Sequence, residues 1–275
     1  MNKLNIEKRV QIIGMLVEGN SMRAVSRMAD CSINTVTKLL VDVGLACWIY
    51  QHRTLRDLPC KRIQCDEIWS FCYSKEKNVP QEHRGELGFG DVYTWTAMCA
   101  DTKLVPSFLV GRRDSEYAHL FIKDLESRLK NRVQLTTDGH KVYLDAIEDA
   151  FGGKIDYAML VKIYESLPTE DQRKYSPVEC TGAERKCISG NPNEMYVSTS
   201  FIERQNLTMR MSMRRFTRLT NGFSKKIENL ECAVALHFMY YNFARVHKTL
   251  RVTPAMEAGI ADHVWTLEEI INLLK

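Results

Sequence analysis

The sequence contains no uninterrupted apolar run near the roughly 18 residues that a membrane-spanning helix needs. Its longest apolar pieces are short, such as Ala233 to Phe238, and that one is broken by His237. No membrane span is expected. No apolar stretch follows the basic residue in Met1-Asn2-Lys3-Leu4-Asn5-Ile6-Glu7-Lys8, so a secretory leader is not expected either, and a cytosolic setting is the default. The nine cysteines, at 31, 47, 60, 65, 72, 99, 180, 187 and 232, include no CxxC pair. A disulfide framework is not expected in a cytosolic chain of this size. The thiols read as reduced small hydrophobes. The spacings of Cys60, Cys65 and Cys72, and of Cys180 and Cys187, miss the usual zinc-finger pattern. Internal repeats and low-complexity tracts are absent.

A strong charge of one sign is lacking as well. The 38 Lys and Arg stand against 34 Asp and Glu, a net +4 that decides little about partners. The distribution decides more. Between Glu203 and Arg251 ten basic residues face three acids, a local excess of +7. A basic stretch of that density points to a polyanion partner. With 275 residues, 45% of them apolar, the chain can bury a sizeable core and is not disordered. The length suits one large domain plus a small one.

The first 44 residues carry helical spacing. Ile6, Val10, Ile13, Leu16 and Val17 recur on one face, and Gly19-Asn20 stops that helix. Ser21 caps a second helix, and Asp30-Cys31 makes a short turn. Ser32 caps a third helix, INTVTKLLVDVG, which Gly44 is expected to end. Two helices joined by a tight turn after a first one form a helix-turn-helix pattern. Its third helix would present Asn34, Thr35, Thr37 and Lys38 to DNA, residue types that reach base edges or phosphates. A small bundle used only for packing has the same pattern. Residues 45–59 read as a linker, with Trp48, Ile49 and Tyr50 docked on a flanking domain.

From residue 60 the character changes to strands. Arg62 to Tyr73, Val92 to Met98 and Leu104 to Val110 read as a three-strand meander, with Pro106 marking an edge or a bulge. Helices over Glu116 to Leu129 and Val142 to Ala150 alternate with strands over Val133 to Thr137 and Ile155 to Ile163. Leu167 to Asn193 reads as a long loop, and Thr199 to Arg215, Lys226 to Arg245 and Leu267 to Leu274 as helices. The order predicts an α/β fold, a mixed sheet covered by helices, preceded by the small all-α unit. The division is 1–44, a linker at 45–59, and a large α/β domain at 60–275.

Three acids occupy conspicuous places. Asp66 lies inside an apolar strand, in CDEIWSF. Asp138 follows a strand end, in LTTDGH, and Glu203 opens a helix, in STSFIERQN. An unpaired carboxylate in a strand is costly to bury unless it holds a cation. Converging carboxylates repel and raise one another's pKa, which two Mg²⁺ ions roughly 3.5–4 Å apart would relieve. Taken singly, each acid also has a bland reading as a structural residue, a turn or a solvated ion pair.

The segments CDEIWSFCY at 65–73, LTTDGH at 135–140 and STSFIERQNLTMRMSMRRFTRLTNGFSKKIEN at 198–229, continued by HFMYYNFARVHKTLRVTPAMEAG at 237–259, resemble the DDE transposases of the bacterial insertion-sequence-one family. The resemblance implies an RNase H-like catalytic domain and Mg²⁺-dependent DNA cleavage and strand transfer, with Mn²⁺ able to substitute. It implies catalytic and metal-binding roles for Asp66, Asp138 and Glu203. Arg210, seven residues after the Glu, would contact phosphate beside them. By residue type, Arg214, Arg215 and Arg218 are expected either to line the DNA track or to form a solvated basic face. It further implies double-stranded DNA as partner, a homo-oligomer that joins two element ends, and a cytoplasmic, nucleoid-associated setting. Family members often open with a cysteine-rich zinc-binding segment. None precedes Ile6, so end recognition is expected to rest on the helix-turn-helix. Asn206 shares a helical face with Glu203, and is expected either to orient it or contact DNA, or simply to face solvent. The alternatives are a non-catalytic DNA-binding regulator and an RNase H-like nuclease that only hydrolyses.

Overall fold

The computed structural model describes residues 4–164, 180–218 and 220–274. Helix α1 spans Ile6–Val17, with the Asn5 side chain accepting from the Lys8 amide. Gly19, at φ +80°, breaks it. Helix α2, Met22–Met28, starts on Ser21, whose hydroxyl accepts from the Ala24 amide. Asp30 turns the chain at φ 43°, and Ser32 caps α3 by accepting from Asn34. Each such cap is worth about 1 kcal/mol, which is why the starts were legible.

The end of α3 was not. The helix runs Ile33–Thr54, straight through the expected stop at Gly44 and most of the segment expected to be a linker. Gly44 serves a close helix crossing instead. A Cβ there would lie 2.3 Å from the carbonyl oxygen of Cys232, on helix α7 (Ile227–Met239). By length and composition α3 could also cross a membrane, although no uninterrupted apolar run marks it. Its Val36, Leu40, Val43 and Cys47 are spent in the core, and Gln51 donates to the Ala235 carbonyl of α7 at 3.0 Å. Tyr50 docks on Phe243 and Trp265 as expected, whereas Trp48 is 47% exposed and stacks on His52.

One six-stranded mixed sheet follows, in the order β3-β2-β1-β4-β5-β6. Its strands are β1 Arg62–Cys72, β2 Gly90–Cys99, β3 Ser107–Gly111, β4 Gln134–Thr137, β5 Asp156–Tyr164 and β6 Cys180–Ser189. The meander β1-β2-β3 is antiparallel, β1-β4-β5 is parallel, and β6 returns antiparallel to β5. β3, following Pro106, is an edge strand as expected. β6 corrects the expected loop over 167–193, whose residues 167–179 lie outside the described residues. Nearly every β6 residue is exposed, so the strand carries no apolar alternation to betray it.

Helices α4 (Ser115–Glu126) and α5 (Val142–Phe151) make the crossovers between β3, β4 and β5. With Ile63, Cys65, Leu135 and Tyr157 they form a core continuous with α1–α3. The other sheet face packs Ile68, Val92 and Met98 against helix α6 (Ser200–Ser212) and α7, through Ile202, Met209, Val234 and Phe238. The chain closes with a π-helical turn at Tyr240–Ala244 and the short helices α8, Pro254–Glu257, and α9, Leu267–Asn272.

In a solvent-facing helix, Gly→Ala would stabilise by about 1 kcal/mol. Gly44→Ala is expected to do the reverse, lowering the urea midpoint by about 1–3 kcal/mol equivalent because α3 and α7 must part. A midpoint equal to or above wild type would contradict the close crossing.

Candidate active site

The site is built on the alternation of β1. Even-numbered residues face α6 and odd-numbered residues face α4 and α5. Gln64, buried and bonded, accepts from the amides of Phe201 and Ile202 at 2.9 and 3.1 Å. Those amides belong to the first turn of α6 and have no partner inside the helix. Two residues on along the same face, Asp66 Oδ2 accepts from Asn206 Nδ2 at 2.8 Å. Helix and strand therefore run side by side, pinned at two points, with Glu203 between the pins. Asp66 Oδ1 accepts from the Glu67 amide at 2.8 Å.

Register supplies the second acid. In the parallel ladder Gln64 stands beside Thr136. Two residues further along each strand lie Asp66 and Asp138, where the ladder ends. Asp138 Oδ1 accepts from the His140 amide at 2.9 Å, and Oδ2 lies 4.0 Å from Arg113 Nη2. Burial foremost, then the charges of Glu67 and Asp138, and more weakly Glu203, push the Asp66 carboxyl up to about 7. Asp66 thus feels two acids that are far from it in sequence.

Glu203 is held apart from the pair in one respect. Its Oε1 accepts from Lys162 Nζ on β5 at 2.6 Å and from the Thr199 hydroxyl. Among the described residues no three His, Cys, Asp or Glu side chains stand close enough to share one ion. The donor chemistry fits a hard divalent cation, because every candidate ligand is a carboxylate oxygen and burial and the neighbouring acids disfavour ionised Asp66 unless a cation offsets its charge. Asp66 and Asp138 are the pair that would hold such a cation.

The remaining expected residues divide. Arg210, on the last turn of α6, feels the charge of Asp66, while burial and Arg218 lower its pKa. It lines one groove with Trp69, Tyr73, Lys75, Lys77 and Arg218, and Arg214 and Arg215 line that groove too. Trp69 and Tyr73 are 38% and 44% exposed. At the start of α3, Asn34 and Lys38 are exposed and Thr35 and Thr37 half-buried. Lys38 is paired with Asp42 at 2.7 Å, and the Thr37 hydroxyl is turned onto the Ile33 carbonyl. His247 is away from the carboxylates, beside Lys103 and Arg245. Met209 and Met213 pack in the core, but Met211 is 71% exposed.

Sequence reasoning missed Gln64, Glu67, Arg113 and Lys162. Glu67 is buried on the opposite face of β1 from Asp66, paired with Arg113 Nε at 3.0 Å. The signal for Gln64 and Glu67 was present: polar residues inside an apolar strand demand partners. Asn206 is 6% exposed and bonded to Asp66, so it positions that acid and does not face solvent.

No protein-family model and no curated protein matches the chain. Among solved structures, a piggyBac transposase synaptic complex with hairpin DNA aligns over 99% of this chain and 71% of that one, at 11% identity and TM-score 0.40. A Mos1 transposase paired-end complex with the left transposon end aligns over 57% of this chain and 60% of that one, at 11% identity and TM-score 0.25. A Mos1 strand transfer complex aligns over 86% and 78%, again at 11% identity and TM-score 0.25. This chain thus spans about three-fifths of the Mos1 chain in the paired-end complex. At these values any functional reading has to rest on the residues themselves.

Folded Asp66 keeps its proton up to about pH 7, whereas the unfolded chain loses it at about pH 4, the ordinary value for an aspartate. Between those limits the folded state binds more protons, so this group's contribution to stability falls as pH rises. Asp66→Asn is therefore expected to stabilise the protein more at pH 8 than at pH 4.5 in paired urea titrations. An identical offset at both would refute the shift.

Proposed function

We propose that this chain is a DDE transposase, similar to the bacterial insertion-sequence-one family, which binds element ends and cuts and joins DNA. The observation that carries it is the position of Asp66 inside the central strand β1, of Asp138 at the end of its neighbour β4 and of Glu203 on the helix pinned across β1, with Arg210 of a basic groove on that same helix. An antiparallel meander leading into parallel strands supports an RNase H-like catalytic domain. The capped helices α1–α3 support a helix-turn-helix, with Asn34 and Lys38 its exposed contacts and Thr35 and Thr37 at the same helix start.

A divalent cation, Mg²⁺ or Mn²⁺, held by Asp66 and Asp138 would supply Lewis-acid stabilisation of the charge that develops at phosphorus. The chain's own groups do the rest. Asn206 fixes the orientation of Asp66 through Oδ2. Arg210, two helical turns past Glu203, offers a cation to a phosphate at the mouth of the site. Water attacks the terminal phosphodiester first, and the freed 3′-hydroxyl then attacks target DNA. Neither displacement requires a covalent bond to the protein. Joining two ends requires more than one copy of the chain.

A second reading is favoured by one contact. With Glu203 held by Lys162 and Thr199, the chain can also be read as a DNA-binding regulator in which the third carboxylate is withheld.

The test is cleavage and strand transfer on duplexes carrying candidate ends, with Mg²⁺, with Mn²⁺ and with EDTA. Joined products are expected with either ion and none with EDTA. Asp66→Asn, Asp138→Asn and Glu203→Gln should each lower the rate by on the order of 10²-fold or more while binding persists. Cleavage without joining would identify a hydrolytic nuclease. Binding without any cleavage would favour the regulator.

A further inference from the structure

A second cleft adjoins the Arg210 groove, the two sharing Arg214, Arg215, Asn221 and Phe223 in their linings. Its volume is about 750 Å³. One wall is the α1–α2 turn and the first half of α3, and the other is Ser212–Arg215, Asn221–Lys225 and the buried face of α7. Arg23, Arg214, Arg215 and Lys225 line it, and no acidic residue does.

Three polar atoms in its lining are buried and have no hydrogen-bond partner: Arg215 Nε, Ser224 Oγ and His237 Nε2. Ser224 and His237 are only 3% and 4% exposed. Leaving buried donors unpaired costs on the order of 1–3 kcal/mol each, more for a charged one. Native interiors rarely leave such atoms unpaired, and where three of them line one cleft with cations, an anion or ordered water is what satisfies them. The Ser224 backbone is held by pairing with the end of β1, its carbonyl accepting from the Tyr73 amide at 2.9 Å, so the hydroxyl is delivered by the sheet. Burial keeps His237 neutral, its pKa lowered to about 3, so its imidazole brings a hydrogen-bonding edge rather than charge. Arg215 keeps its proton at neutral pH, although burial lowers its pKa to about 10. Among the described residues no carboxylate is ion-paired with it.

Fixed cations, unpaired donors and no acid describe a receptor for an oxyanion. We propose that this cleft binds the phosphodiester backbone of DNA as a second contact, adjoining the Arg210 groove through Arg214 and Arg215 and bridging the N-terminal helices to α7. The identity of the polyanion rests on the DNA reading above; the anion site itself rests on the unpaired atoms. A strand seated there touches the end-binding helices and the arginine segment at once, so recognition and the catalytic sheet share one ligand.

The test uses the full-length chain and a fluorescent 20-bp duplex, titrated by anisotropy at several salt concentrations. Arg215→Met and the surface double variant Arg23→Gln/Lys225→Gln are expected to weaken binding about equally for every duplex sequence. The slope of log K against log salt should fall by about 0.9 for each phosphate that is no longer neutralised. In a parallel thermal-shift series, inorganic pyrophosphate should stabilise wild type and not Arg215→Met, which reads the cleft without DNA or turnover. Wild-type affinity and slope in both cleft variants would overturn the proposal while leaving the transposase reading intact. Failure of wild type to bind any duplex would remove that reading. If pyrophosphate still protected, the cleft would be a site for free phosphate compounds and its DNA assignment would be overturned.

Discussion

The arrangement of the candidate site depends on one side chain, Gln64. Its oxygen takes two amides from the first turn of α6 that no carbonyl inside the helix can satisfy. That pair of bonds sets where α6 starts along β1. Strand and helix cover similar distances in two and five residues, respectively, so the next same-face strand position, Asp66, comes level with Asn206. Glu203 then has little choice of position. Without Gln64, Glu203 would lose one of the two pins that hold its helix against the acids of the sheet, whose own register the β1–β4 ladder sets.

Electrostatics follow from that geometry. The middle of the sheet gathers Asp66, Glu67 and Asp138 on β1 and at the end of β4, and answers them directly with Arg113 on one side and Asn206 on the other. Lys162 takes Glu203. The cations of the basic C-terminal stretch are not spent on these acids. Arg210, Arg214 and Arg218 line an open groove, and Arg215 lies between that groove and a second cleft. A protein optimised only for folding would pair these charges with each other. Their separation leaves carboxylates suited to a cation and guanidiniums suited to phosphate, two halves of a phosphoryl-transfer site.

Much of the local structure was legible from residues 6–163 because it depends on neighbours in sequence. Caps at Asn5, Ser21 and Ser32 act within three residues, and the apolar alternation of β1 and β2 reports a strand whatever it pairs with. Gly44 was misleading for the opposite reason. Its effect depends on Cys232, 188 residues away, whose backbone occupies the space that a Cβ would fill. β6 was illegible because an edge strand exposed on both faces has no solvent-driven pattern.

The candidate site divides along the same line. The residue types, the placing of Asp66 within a strand, Asp138 at a strand end and Glu203 at a helix start, and the basic run after it were set by the sequence alone, since each is a property of a short segment. Only the tertiary structure decided that Asn206 holds Asp66, that Lys162 holds Glu203, that Glu67 lies on the opposite face, and that Arg215, Ser224 and His237 share a cleft with the N-terminal helices. Those pairings join segments tens to hundreds of residues apart. Hydrogen bonds and ion pairs act over a few ångströms in space, and no local periodicity encodes which distant segments will come that close.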